Sequence, residues 1–145
     1  MILIADSREQ HVFEFDHPRY ENVAVKVAGL KTGDYSIEGM ESMVAVERKS
    51  MPDLLGSIST GRQRFENELE RALDIKSFMV VIEEPFRNLG CNEYQSRMNR
   101  GAAIQTIFSW MSKYRCTWWF AESREGAEFA TFSFLRHFHK RHSHG

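Results

Sequence analysis

The hydrophobic residues change period partway along this chain, and that change limits the fold more than any other feature. Met1–Ala5 is a short apolar run stopped at Asp6, which reads as a buried strand. Val23, Val25 and Val27 alternate strictly within Asn22–Ala28, the mark of a second strand. Gly29–Gly33 is turn-like, Asp34–Glu38 is extended again, and Gly39 breaks it. Met43–Lys49 is a further strand, with Val44 and Val46 on one face. Helical spacing then takes over. Ser50 is placed to cap Met51–Ile58, with Pro52 tolerated in the first turn. Gly61–Ile75 sets Phe65, Leu69, Ala72 and Leu73 on one helical face. Phe78–Glu83 is an apolar strand, and Arg97–Tyr114 a long helix striped by Ile104, Ile107, Phe108 and Met111. Thr117–Ala121 is an aromatic strand. Arg124–Arg141 closes the chain as a helix, with Phe129, Phe132, Leu135 and Phe138 turned inward or toward a partner.

A group of strands followed by strand–helix alternation predicts an α/β domain. We expect a mixed central sheet with helices on both faces, parallel pairing at one edge, and the early strands arranged as a meander. At 145 residues the chain is the length of one domain and long enough to bury a core without disulfides or structural zinc. Cys91 and Cys116 are far apart and form no CxxC pair, so they read as reduced, buried thiols and not as zinc ligands. No apolar run approaches the roughly 20 residues of a membrane helix, and the N-terminus meets an acid too early for a signal peptide. The expected location is cytoplasmic, without a membrane partner. A formal net charge of -1 gives no global basic signal, but it leaves room for a local basic groove beside an acidic site.

The residues with the clearest chemistry are Asp34 and the triplet Glu47-Arg48-Lys49. Alternate residues of a strand share a face, so Glu47 and Lys49 project together and Arg48 points the other way. If the strand opened by Asp34 pairs with this one, two carboxylates and an amine meet. Hard divalent cations such as Mg²⁺ take one or two carboxylates together with water and phosphate oxygens. A lysine beside them can orient or deprotonate water, or neutralise charge building on phosphorus. Asp6, Arg8, Glu9, Asp53 and the Gly61-Arg62 step also fall at strand ends and helix starts, where open α/β sheets build their sites.

Asp6-Ser7-Arg8-Glu9, Gly33-Asp34-Tyr35 and Glu47-Arg48-Lys49-Ser50-x-x-Asp53-Leu54 together resemble the XPF-type structure-specific nucleases, whose signature is GD, a variable gap, then ERKxxxD. Leu54-x-x-Ser57-Ile58 and Gly61-Arg62 continue the likeness, which covers roughly the first half of the chain. The resemblance implies a restriction-endonuclease-like core, Mg²⁺ or Mn²⁺ dependence, and cutting of branched DNA near junctions of duplex and single strand. It implies Asp6, Asp34 and Glu47 as metal-site acids, Lys49 as the catalytic lysine, and Arg8, Arg48 and Asp53 as supporting residues. Arg62 would be a phosphate or packing contact. Many members append a tandem helix-hairpin-helix module; none follows here, so the expectation is a single nuclease domain over 1–145. Members also pair as dimers, which implies a homodimer or a partner subunit.

Plainer roles stand beside these. Asp6 can cap the next segment, and Arg48 can bridge to Asp53 or Asp6 and hold the site's shape. Asp53 can serve the dipole of its own helix. Arg62 and Arg64 can be a solvated helix face or a DNA-binding clamp. Trp118 and Trp119 face opposite ways, so at most one could stack on a base, and core packing is the simpler role. Glu83 and Glu84 end a strand near the acids. The tail from His137 to His144 reads as a solvated, partly basic terminus, able to touch a DNA backbone. The competing function is a catalytically weak DNA-binding or scaffolding domain of the same fold; the intact Asp34, Glu47 and Lys49 argue against a decayed site.

Overall fold

The computed structural model describes residues 1–90 and 98–143. Six strands form one sheet: β1 (Ile2–Asp6), β2 (Ala24–Ala28), β3 (Tyr35–Ile37), β4 (Val44–Lys49), β5 (Ser77–Ile82) and β6 (Thr117–Phe120). Four helices accompany them: α1 (Met51–Ile58), α2 (Arg62–Ala72), α3 (Arg100–Tyr114) and α4 (Arg124–His142). All six strands and four helices expected from periodicity are present. Residues 91–97, with Cys91 and the expected start of the third helix at Arg97, lie outside the described residues, as does His144.

The sheet order is β2-β1-β3-β4-β5-β6. β4, β5 and β6 run parallel, while β3 is antiparallel to both β1 and β4. The early strands are not a meander. β2 lies outside β1 and parallel to it, so the chain crosses back before β3 pairs with β1 from the other side. Alternation in Val23–Val27 reports a half-buried strand but not its neighbour, and at this sheet edge Val27 is 60% exposed.

Period-2 alternation splits the core in two. Ala45, Phe78, Val80, Ile82 and Trp118 pack against α1, α2 and α3. On the other face, Val44, Val46, Met79 and Val81 meet Phe132, Leu135 and Phe138 of α4. Phe13, Phe15 and Tyr20, on the crossover from β1 to β2, join this second core. Phe13 stacks on Tyr35 with ring centres 5.0 Å apart, and its amide donates to the Tyr35 hydroxyl at 2.9 Å. Trp118 is in the core and Trp119 is exposed, as opposite faces require. Cys116 is a free, buried thiol, pushed above its ordinary pKa by burial. No helix among the described residues is long and apolar enough to cross a membrane.

Candidate active site

The C-terminal ends of β1 and β4 lie at the same end of the sheet, because each is antiparallel to β3. Asp34 enters β3 at that end. Its backbone closes the junction: the Asp34 amide donates to the Val46 carbonyl at 2.7 Å, and the Asp6 amide donates to the Asp34 carbonyl at 2.8 Å. Gly33 is required for this approach. It has φ +82°, and a Cβ there would stand 2.9 Å from Ala45 Cβ and 3.1 Å from the Val46 carbonyl oxygen.

Tyr35 pairs with Val46, so the next step along the antiparallel ladder sets Asp34 beside Glu47. The Asp34 Oδ2 accepts from the Arg48 amide at 2.8 Å, which holds the carboxylate against β4. Burial, opposed by that hydrogen bond, raises the Asp34 pKa to about 6, with the charges of Glu9 and Glu68 adding to the rise. Glu47 is 9% exposed. Its pKa is pushed well up, first by burial, then by the charges of Asp34 and Glu68. Lys49 opposes that rise; its Nζ is 3.8 Å from Glu47 Oε2 and 4.4 Å from the centre of the Phe65 ring.

Glu68 of α2 was not among the residues singled out in the sequence. It comes within hydrogen-bonding reach of Glu47 and adds a third carboxylate to the pair. It lines a cavity of about 330 Å³ with Lys49, Asp53, Gly61 and Arg64. The available signal was its spacing: Glu68 follows Phe65 by three positions and Arg64 by four, so all three share one side of α2.

Arg48 lies on the opposite face of β4. Its guanidinium grips Glu9 through two hydrogen bonds of 2.9 Å and also donates to Glu83. These contacts, led by Glu9, raise its pKa. Arg124 at the start of α4 extends the network, donating to Glu83 at 3.3 Å and to the His11 carbonyl at 2.6 Å. Arg48 therefore holds the shape of the site through Glu9 and Glu83, not through Asp53 or Asp6. A second cavity, of about 950 Å³, opens on this side and is lined by Arg8, Glu9, Arg48, Asp53, Glu83 and Arg124 among others. Asp53 borders both cavities, and its backbone amide donates to the Ser50 hydroxyl oxygen at 3.2 Å.

The remaining sequence candidates separate. Asp6 is 3% exposed; its Oδ1 accepts from the Leu30 amide at 2.8 Å and its Oδ2 from Arg8 Nε at 2.9 Å. It ties the turn after β2 to the end of β1. Arg8 gains a raised pKa from the hydrogen bond to Asp6 and also donates to the Leu30 carbonyl at 2.9 Å. Arg64 lines the cavity beside Lys49. Arg62 turns away, 3.4 Å from Glu66 and over the Trp110 ring at 5.5 Å.

Oxygen-only donors in Asp34, Glu47 and Glu68 suit a hard divalent cation, and their crowding is what such a cation relieves. Among the described residues, no three His, Cys, Asp or Glu side chains are already drawn together tightly enough to enclose a metal. Hard cations of this kind commonly take one or two carboxylates and complete their shell with water and substrate oxygens.

Comparison with known proteins agrees with this geometry. The sequence profile of the ERCC4 domain matches residues 5–132. The solved structure of XPF from Aeropyrum pernix is similar with a TM-score of 0.73 at 19% sequence identity, covering 99% of this chain and 67% of that one. XPF from Aeropyrum pernix in complex with DNA gives 0.70 at 19% identity, covering 97% and 66%. The chain spans about two thirds of the length of these structures. Comparison with curated protein sequences gives no match. With its profile match over most of its length and its α/β fold that of the XPF nuclease domain, the chain belongs to the ERCC4 domain family of XPF-type nucleases.

Proposed function

We propose that this domain is a Mg²⁺- or Mn²⁺-dependent endonuclease that hydrolyses phosphodiester bonds in DNA where duplex meets single strand. The observation that supports it best is the convergence of Asp34, Glu47 and Lys49 at the end of β4, beside a cavity lined by Lys49, Arg64 and Glu68. Asp34 and Glu47 are the cation's ligands in this reading, with Glu68 beside them. Asp6, the other implied acid, joins through the lone pairs that its two hydrogen bonds leave free. The cation supplies Lewis acidity for the scissile phosphate and the attacking water. Lys49, held between Glu47 and the Phe65 ring, orients that water or neutralises the charge on phosphorus. Arg64 positions a flanking phosphate, and Arg8, Arg48 and Asp53 keep the strand ends in place. Exposed Phe108, Trp119 and Phe129 leave apolar surface for a second subunit, whether a copy or a partner.

The test is cleavage of flap, fork, splayed-arm and linear DNA by the purified protein. Nicking near the junction is expected with Mg²⁺ or Mn²⁺, and none with Ca²⁺ or chelator. Absence of cutting on every substrate in Mn²⁺ would transfer support to the scaffolding reading.

A pH dependence follows from Asp34. Its folded pKa of about 6 lies above the ordinary 3.8, so folding favours its protonated form. The metal-free protein is therefore expected to lose stability as pH rises from 4 through 6, by about 2 kcal/mol once solvent screening is allowed for. Glu47 shifts in the same direction. Added Mn²⁺ should stabilise strongly at pH 7.5 and weakly at pH 5, where protons compete for the ligands. Urea melts at both pH values check this, and an Asp34→Asn protein retaining the full pH slope would show that another group is responsible.

A further inference from the structure

At the end of the sheet away from Asp34, the last turns of α4 and the short 3-10 turn Pro18–Tyr20 enclose a cavity of about 530 Å³. Arg19 reaches it from the turn, and Arg136, His139 and Lys140 from α4. Glu21 is the one acid in its lining. Among the described residues Arg136 and Lys140 form no ion pair, and Arg136 covers the Phe132 ring at 5.8 Å. Arg19 Nε donates to His17 and its guanidinium lies over Tyr20 and Phe129; among the described residues its terminal nitrogens make no hydrogen bond. From Thr131 to Ser143 the chain has no acid at all. Cations in the last turn of a helix can serve its dipole. That does not account for Arg19, which comes from another element, nor for a cavity between the two.

We infer that this cavity binds the phosphate backbone of a DNA arm leading away from the cleavage site, an inference that rests on the nuclease reading above. α4 runs from the second cavity to this one, and Asp53 borders both that second cavity and the one beside Lys49. Arg124 at the start of α4 belongs to the Glu83 network, and Arg136 and Lys140 lie roughly 18–24 Å further along the helix. That span equals about five to seven base pairs of duplex. Phe132 is 6% exposed, so its ring is not available for stacking a base. Contacts here are to phosphate and carry no sequence preference.

The experiment compares wild type with the Arg136→Glu/Lys140→Glu double variant, and with Arg136→Gln/Lys140→Gln in case charge reversal disturbs folding, which a thermal melt reports. Binding is measured in Ca²⁺ to forked DNA with arms of four or twenty base pairs. On the long arms both variants should bind about tenfold more weakly, and the slope of log affinity against log salt should fall by about two. On the short arms binding and Mn²⁺-dependent cutting should match wild type. Equal affinity of wild type and variants on long arms overturns the inference, as does an equal loss on both lengths or no DNA binding by wild type. If wild type cuts nothing yet the variants lose long-arm binding, the phosphate site stands and the nuclease reading falls. If wild type cuts and the variants bind long arms unchanged, the reverse holds.

Discussion

The Lys49→Ala protein is expected to fold, to bind branched DNA, and to cut it at least about a hundredfold more slowly than wild type. Lys49 lies between Glu47 and the cavity, with its ammonium 3.8 Å from the carboxylate. Its stabilising contacts are that pair and the Phe65 ring, and the ring contact is worth about 1 kcal/mol. Loss of the positive charge also leaves Asp34, Glu47 and Glu68 with less compensation, so metal-free protein should be slightly less stable and Mn²⁺ should restore part of the difference. Glu47→Ala should abolish cutting to the same degree but leave the metal-free protein at least as stable, because it removes a buried carboxylate that its neighbours repel. Single-turnover cleavage measured with thermal melts separates these effects. A Lys49→Ala protein that cuts within tenfold of wild type would remove Lys49 from the chemistry.

The second large effect is on stability. Arg48→Ala should cost about 3–5 kcal/mol, a large share of what a domain of this size has. The side chains of Arg48, Glu9 and Glu83 are 11%, 5% and 15% exposed, so removing the arginine leaves two enclosed carboxylates facing each other. Arg124 still reaches Glu83, while Glu9 loses both hydrogen bonds from the guanidinium. Arg48→Lys should recover only part of the loss, because an ammonium cannot form the two-pronged contact to Glu9. Urea unfolding at pH 7 measures both variants. A loss under 1 kcal/mol for Arg48→Ala would mean that the network relaxes into solvent and does not brace the site.

These effects differ in how far they could be foreseen. The pairing of Glu47 with Lys49, and the opposite direction of Arg48, follow from strand alternation alone. The partners of Arg48 do not. Glu9, Glu83 and Arg124 come from the crossover after β1, the end of β5 and the start of α4, which meet only when the sheet is assembled. Glu68 was hidden for a similar reason. On α2 it reads as one of several solvated acids, and only the packing of Phe65 beneath Lys49 turns that side of the helix toward Glu47. Arg62 and Arg64 look alike as neighbours on a charged helix, yet one faces Trp110 and the other the cavity.

By itself, the sequence determined which segments are strands and helices, and which side chains of β4 share a face, because both depend on local periods of 2 and 3.6 residues. It also marked Gly29–Gly33 as a turn, while the need for glycine at position 33 comes from the structure, where the backbone has φ +82° against β4. Tertiary structure decided the order β2-β1-β3-β4-β5-β6, the third carboxylate beside Glu47, and the burial that raises the Asp34 pKa. Those properties arise from contacts between residues distant in the chain, and no local period encodes which distant surface will cover a given face.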